Sequence, residues 1–262
     1  AGLSLTLVGL DDVIEPLWLA PCDTPAYRRG SVGAVELDDT ELPQEAEAVT
    51  VTAEGSPDSR KIAAAAVGAL EAISAVLAES QAELGRLDSV AGDGDHGIGM
   101  TRGAAAAAAV AGQDAGASTT LNAAGTAWSA SAGGTSGALW GAVLTAFGAA
   151  LRDDAPYDPA RVVEAARACL DAVQRLGGAK VGDKTMIDAM APFVEALASS
   201  DKPLPEAWQA AVAAADDAAQ ATAEIVAKVG RARPLGEKSL GTPDPGAVSF
   251  VEVARAVSGF LR

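Results

Sequence analysis

The chain has 262 residues, 49% of them hydrophobic but only 4% aromatic, and a formal charge of −16. A core of that composition must be built from Ala, Leu and Val, and the strong helix propensity of Ala leans it towards an all-helical body. The acidic balance argues against nucleic acid or an anionic membrane as partner, since phosphate backbones call for clustered Lys and Arg. An anionic small substrate fits only where a local positive site or a metal offsets the field.

Residues 1–57 differ from the rest. Leu3 to Val8 alternates apolar and small polar residues as a half-buried strand does, and Val49-Thr50-Val51-Thr52 is again β-prone. Between them lie Pro16, Pro21, Pro25 and Pro43 and an acidic stretch from Glu36 to Glu47. A lone strand forms no sheet, so this part reads as the tail of another domain plus a linker, and a chain that starts inside a strand pattern reads as a piece of a longer one. From Ser56-Pro57-Asp58 the signals turn helical. Ile62, Ala66, Leu70, Ile73, Leu77 and Leu84 follow at helical spacing, and further helices are predicted at 119–131, 136–151, 158–176, 184–199, 204–229 and 245–261. About eight helices with short connections predict a bundle or closed helical barrel. Cys22 and Cys169 stand far apart in no metal-ligand spacing and read as buried thiols of a reduced compartment, with one disulfide as the alternative. With no leader pattern and no apolar run of about 18 residues, the expected location is cytoplasmic.

Unusual residues gather in four loops. The first carries Asp88, Asp93 and Asp95 within eight residues, among glycines that leave the carboxylates unscreened. Three such acids repel one another, and a hard divalent cation with oxygen ligands is the usual remedy; a solvated acidic turn is the bland alternative. The second, Gly133-Gly134-Thr135-Ser136-Gly137, opens a helix with free amides and two hydroxyls, which suits an anion or simply a capped turn. The third runs from Gly177 to Met186 and on to Asp188; Lys184 could offset phosphate charge and Met186 could pack on a planar base, or the stretch is a helix start with a buried Met. The fourth, from Gly230 to Gly246, places Arg231, Arg233 and Lys238 in an otherwise acidic protein, and its length suits a lid or binding loop.

Two literal motif matches fail on context. Gly92 to Gly97 spells GxGxxG but follows an amphipathic helix rather than a strand, and its variable positions hold two aspartates. Gly177 to Thr185 nearly spells a phosphate-binding loop, but Asp183 separates glycine from lysine. His96 is the single histidine, which excludes multi-histidine zinc sites; beside aspartates it reads as a supporting or phosphate contact rather than a general base. Acids for metal, amides and hydroxyls for phosphate and a basic loop together describe a metal–nucleotide site.

On these residues the sequence resembles the dihydroxyacetone kinase family, specifically its nucleotide-binding L domain. The likeness rests on four motifs in one order, GDGDHGIGM, GGTSG, VGDKTMID and GRARPLGEKSLGTPDPGA, over residues 58–262. The segment Gly2–Gly30, with LTLVGLDD and APCDTPAYRRG, looks like the end of the family's substrate-binding K domain. The expected division is therefore 1–35 K-domain tail, 36–57 linker and 58–262 L domain, as in fused ATP-dependent enzymes.

The resemblance implies an all-α, eight-helix antiparallel closed barrel, preceded by an extended segment of an α/β domain. Asp88, Asp93 and Asp95 would hold two Mg2+ ions that bridge the phosphates of ATP or ADP. His96, Gly97, Ile98 and Gly99 would line the nucleotide, Thr135 and Ser136 would contact phosphates, and Gly177 and Met186 would border the base. Arg231 and the Asp244-Pro245-Gly246 turn would close the site. Ala232-Arg233-Pro234 departs from the family's usual Ala-Ser-Tyr. The K domain holds the ketone covalently through a histidine for which this chain has no candidate, so it is expected to bind Mg-ATP without phosphorylating a triose alone, its partner being a K domain and its parent enzyme a homodimer. The alternatives are an L-type subunit that keeps its nucleotide as a phosphoryl carrier and, from another class, a non-catalytic metal-binding helical module.

Overall fold

The computed structural model describes residues 9–20, 23–24, 27–28, 55–112 and 115–261. The chain divides into two units, Gly2–Val51 and Thr52–Arg262. In the first, α1 (Ile14–Leu19) is opened by Asp11, whose carboxylate accepts the Val13 and Ile14 amides at 3.0 and 2.8 Å. A two-residue antiparallel pairing follows, β1 (Asp23–Thr24) with β2 (Tyr27–Arg28). The strand patterns at 3–8 and 49–52, and Cys22, lie outside the described residues.

The second unit is helical: α2 (Pro57–Asp88), α3 (His96–Val110), α4 (Ala117–Ala132), α5 (Gly134–Leu151), α6 (Pro159–Gly177), α7 (Ile187–Ala198), α8 (Leu204–Ala221) and α9 (Pro245–Val257). Several starts follow capping chemistry. Ser56 Oγ accepts the Ser59 amide at 3.1 Å ahead of Pro57, and Asp158 does the same for Ala160 at 2.9 Å ahead of Pro159. Each helix lies against the next along the chain, and α9 returns to α2, so the eight close into a ring.

Because consecutive members turn back on one another, α2, α4, α6 and α8 finish at the same end at which α3, α5, α7 and α9 begin. The interior is stacked with small and medium side chains (Ala104, Ala124, Ala211, Leu77, Leu84), with Trp128 stacked on Trp140 at 5.4 Å. Between α2 and the α5–α9 side the ring also encloses an apolar cavity of about 790 Å3, lined by residues such as Leu70, Phe147, Phe193 and Phe250.

Three sequence expectations are corrected. The helix predicted at 204–229 stops at Ala221, where Thr222 turns its hydroxyl onto the Ala219 carbonyl and a short 3₁₀ turn (Thr222–Glu224) follows. The helix predicted from 184 starts at Ile187, since Lys184 sits at φ 64°, outside the helical region. Thirdly, α2 and α5 are long and apolar enough by length and composition to cross a membrane; their Ala, Leu and Val side chains, with Ile in α2 and Phe in α5, suit ring members touching a neighbour on either side.

Candidate metal and nucleotide site

The end where α2, α4, α6 and α8 finish is closed by four junctions, and these are the four loops singled out in the sequence. Residues from all of them line one cavity of about 280 Å3: Asp88 and His96 from α2–α3, Thr135 and Ser136 from α4–α5, Gly177, Lys184 and Met186 from α6–α7, and Arg231, Ser239, Asp244 and Gly246 from α8–α9. Four helix N-termini thus converge on it. Each end carries about half a positive charge, with amides that the helix itself leaves without a carbonyl partner.

The first junction wraps around Asp88. The Gly92 amide donates to the Asp88 carbonyl at 2.6 Å, and the His96 amide donates to Asp88 Oδ2 at 3.2 Å. This brings the chain back towards α2 so closely that a Cβ on Gly97 would run into the Gln81 carbonyl; Gly97 is a packing residue. The Asp88, Asp93 and Asp95 carboxylates offer oxygens all within 4.8 Å of one another. Like charges at that spacing cost roughly 1–3 kcal/mol per pair, and three hard oxygens suit Mg2+ or Ca2+. In the structure a cation is already drawn there. The Arg231 guanidinium is ion-paired to Asp93 and lies 3.5 Å from Asp95 Oδ2.

His96 turns its ring away from the acids and towards α9. Its Nε2 is 3.0 Å from Ser249 Oγ, and the Pro245 carbonyl accepts a hydrogen bond from the ring. Burial pushes the imidazole below its ordinary value, against the opposing pull of Asp88 and of the Pro245 carbonyl. A ring held this way braces two junctions together.

The second junction is a tight reversal through Gly133 and Gly134, both in the left-handed region at φ 68° and 61°. It sets Thr135 and Ser136 in the first turn of α5, facing the cavity. At the third junction Asp188, 5% exposed, accepts the Gly182 amide at 2.5 Å and the Thr185 amide at 2.7 Å. The loop between α6 and α7 is therefore wound on a buried carboxylate. The fourth is compact rather than an open lid: a 3₁₀ segment (Arg233–Ser239) starts with Pro234 in its first turn, and Asp244 caps α9 by accepting the Ala247 amide at 2.8 Å.

Of the residues expected to contact nucleotide, His96, Thr135, Ser136, Gly177, Met186, Arg231, Asp244, Pro245 and Gly246 line the cavity. Gly97, Ile98 and Gly99 do not; Ile98 is exposed. Lys184 is on the cavity wall, but its ammonium is turned onto the Ser239 and Thr242 carbonyls. Leu139 and Val173 add an apolar side that sequence reading missed; they sit at ordinary core spacing on α5 and α6, so periodicity gave no signal that they face a cavity.

Residues 90–259 match the family model described as the DAK2 domain. The chain belongs to the DAK2 domain family. It is 51% identical over its whole length to the L-erythrulose 1-kinase of Mycolicibacterium smegmatis, covering 46% of that protein. Against the L-erythrulose kinase of Pectobacterium atrosepticum the figures are 47% identity, all of this chain and 45% of that one. The ADP-binding subunit of the PEP-dependent dihydroxyacetone kinase of Escherichia coli is 37% identical over 63% of this chain and 81% of its own length. Among solved structures, the dihydroxyacetone kinase of C. freundii in complex with AMP-PNP and Mg2+ superposes with a TM-score of 0.61 at 26% identity, over 89% of this chain and 38% of that one. The chain thus spans about half the length of the erythrulose kinases it matches.

Proposed function

We propose that this DAK2 domain is the Mg2+- and ATP-binding part of a cytoplasmic kinase for a short ketose, with a tetrulose such as erythrulose or the triose dihydroxyacetone as acceptor. The convergence of all four junctions on one cavity, with three carboxylates beside it, carries the reading. Asp88, Asp93 and Asp95 would hold the metal, two ions in the bound state; Mg2+ there supplies charge neutralisation to phosphate oxygens. The α5 N-terminus with Thr135 and Ser136 would hold phosphates. The apolar side around Leu139, Val173 and Met186 with Gly177 would take the base. Arg231 would move from the acids to the transferred phosphate. The names of the relatives support the ketose class, and AMP-PNP with Mg2+ in the C. freundii enzyme supports the ligand.

The substrate hydroxyl would be presented by a K domain that holds the ketone, in a parent enzyme that is a homodimer. The single histidine of this chain is committed to α9, and no second one could bind the carbonyl. A match over the whole chain to the erythrulose kinases, against 63% for the carrier-type subunit, favours a fused kinase over a phosphoryl carrier.

Calorimetric titration of this chain with ATP tests the reading. Mg2+ should tighten ATP by at least about tenfold and EDTA should reverse it, while dihydroxyacetone should not be phosphorylated by the chain alone. Metal binding indifferent to nucleotide would instead identify a structural ion module, and turnover by the chain alone would overturn the division of labour.

A further inference from the structure

Lys184 is a cation that sequence leaves open between a phosphate contact and a structural role, and its surroundings favour the second. It is 5% exposed. Its Nζ donates to the Ser239 carbonyl at 2.6 Å and the Thr242 carbonyl at 2.7 Å. Burying an ammonium costs several kcal/mol unless its protons are met, and here backbone of another junction meets them. The stem leaves from a backbone at φ 64°, a conformation rare outside glycine, and that backbone is fixed on either side by Asp188. The donor is therefore immobile, and what it holds is the segment leading into α9.

That segment has few other fastenings to the α6–α7 junction. The Lys228 amide donates to the Asp183 carbonyl at 3.2 Å, whereas the Gly241 amide goes to the Ala223 carbonyl and the Asp244 amide to Thr222 Oγ1, both within the α8–α9 connection itself. Beyond the tie lies Gly246, where a Cβ would come within 3.5 Å of Met186. The distance between the two junctions therefore sets the width of the slot beside Met186.

We propose that Lys184 is a positioning residue: it braces the 239–246 wall against the α6–α7 junction and so sets the slot for the nucleoside, without contacting phosphate. This rests on the nucleotide reading above for the identity of the ligand, but the brace itself does not. The test compares the 262-residue chain with Lys184→Met, which keeps the stem and removes the donors, and Lys184→Gln, which keeps two N–H donors and removes the charge. MgADP and adenosine are titrated into each, and trypsin cleavage after Arg231 and Lys238 is timed without ligand.

The brace requires Lys184→Met to lose about tenfold in affinity for both ligands and to be cut faster. Lys184→Gln should stay within about threefold of the parent and be cut at the parent rate. A loss confined to MgADP and equal in the two variants would make Lys184 a phosphate counter-charge and overturn the proposal. So would a trypsin rate unchanged in Lys184→Met. Should the Met variant not fold, Lys184→Gln against the parent decides alone, since a counter-charge role costs it MgADP but not adenosine. If the parent binds neither ligand, the nucleotide reading fails, while the trypsin comparison still decides the brace.

Discussion

Two sets of three aspartates occupy the same end of the ring, and their surroundings are opposite. Asp88, Asp93 and Asp95 crowd one junction; Asp93 and Asp95 have half or more of their side chains in solvent, and Arg231 is ion-paired to both. Asp183, Asp188 and Asp244 are turned inward, each accepting at least one backbone amide: Lys180 for Asp183, Gly182 and Thr185 for Asp188, Ala247 for Asp244. A carboxylate turned inward onto amides has become part of the scaffold, and Asp88, which accepts the His96 amide, shares that role while Asp93 and Asp95 stand outside it. One left beside other carboxylates carries an unmet demand for a cation. The same residue type thus builds the site in one set and would work it in the other.

The sharpest break of that contrast is Asp188→Ala. Two amides wound on a buried carboxylate would lose their acceptor, at about 1–3 kcal/mol each when left unsatisfied. The expected result is a loss of about 2–4 kcal/mol in urea unfolding, together with loss of nucleotide binding as the α6–α7 loop unwinds. An unfolding midpoint no lower than that of Asp93→Ala would erase the distinction between the two sets.

Asp93→Asn probes the other side. It should leave stability within about 0.5 kcal/mol, as exposed substitutions do, while weakening Mg-ATP by at least about tenfold in the same calorimetric titration. Stability and binding then separate in this variant and fall together in Asp188→Ala. Unchanged Mg-ATP affinity would remove the metal assignment.

How far this was legible in sequence follows from the same contrast. The helices were readable because Ala and Leu recur at helical spacing and because Ser56-Pro57 and Asp158-Pro159 are local start signals, complete within a few residues; spacing left bundle and closed barrel open, and the ring was implied by the family resemblance. The acidic loop was readable because its oddity is compositional. Lys184 was left open in sequence because its partners, Ser239 and Thr242, lie 55 and 58 residues away along the chain, and a lysine beside glycines looks the same whether it faces a phosphate or a carbonyl. The overrun of α8 to 229 has a similar source. Thr222 is acceptable inside a helix, and only its bonds to the Ala219 carbonyl and the Asp244 amide end it there. The apolar cavity of about 790 Å3 left no trace in sequence, because its lining comes from several helices and each contributes residues at ordinary core spacing.

Asp244 gives the contrast a pH dependence. Its carboxyl is pushed up from 3.8 to about 7, chiefly by burial, with Asp188 adding to the rise and the Ala247 amide and Lys184 opposing it. Folding therefore takes up a proton between about pH 4 and 7, so this group's contribution is greatest below pH 4 and is lost as pH rises through 7. Asp244→Asn keeps an N-cap acceptor and removes the titration. The variant should gain on the parent by about 2–3 kcal/mol between pH 5 and pH 8, followed by urea unfolding at each pH. A constant difference across that range would show Asp244 to be ionised throughout.

The smallest expected effect concerns Arg231, the cation paired to the exposed set among the described residues. Arg231 is more than half exposed, and ion pairs of that kind contribute about 0–1 kcal/mol. Arg231→Gln should therefore barely move the unfolding midpoint. Its consequence for metal is of opposite sign to its consequence for nucleotide. A guanidinium on Asp93 and a divalent ion on the same carboxylates exclude one another, so without nucleotide the variant should bind Mn2+ up to about fivefold more tightly, 1 kcal/mol being roughly a factor of five. With ATP present the order should reverse, since Arg231 would then be lost from the phosphates rather than from the acids. Electron paramagnetic resonance of free Mn2+ reads both arms. Equal Mn2+ affinity in the parent and in Arg231→Gln would mean that the arginine does not stand where the ion goes, and the exposed aspartates would have to take their metal on another edge.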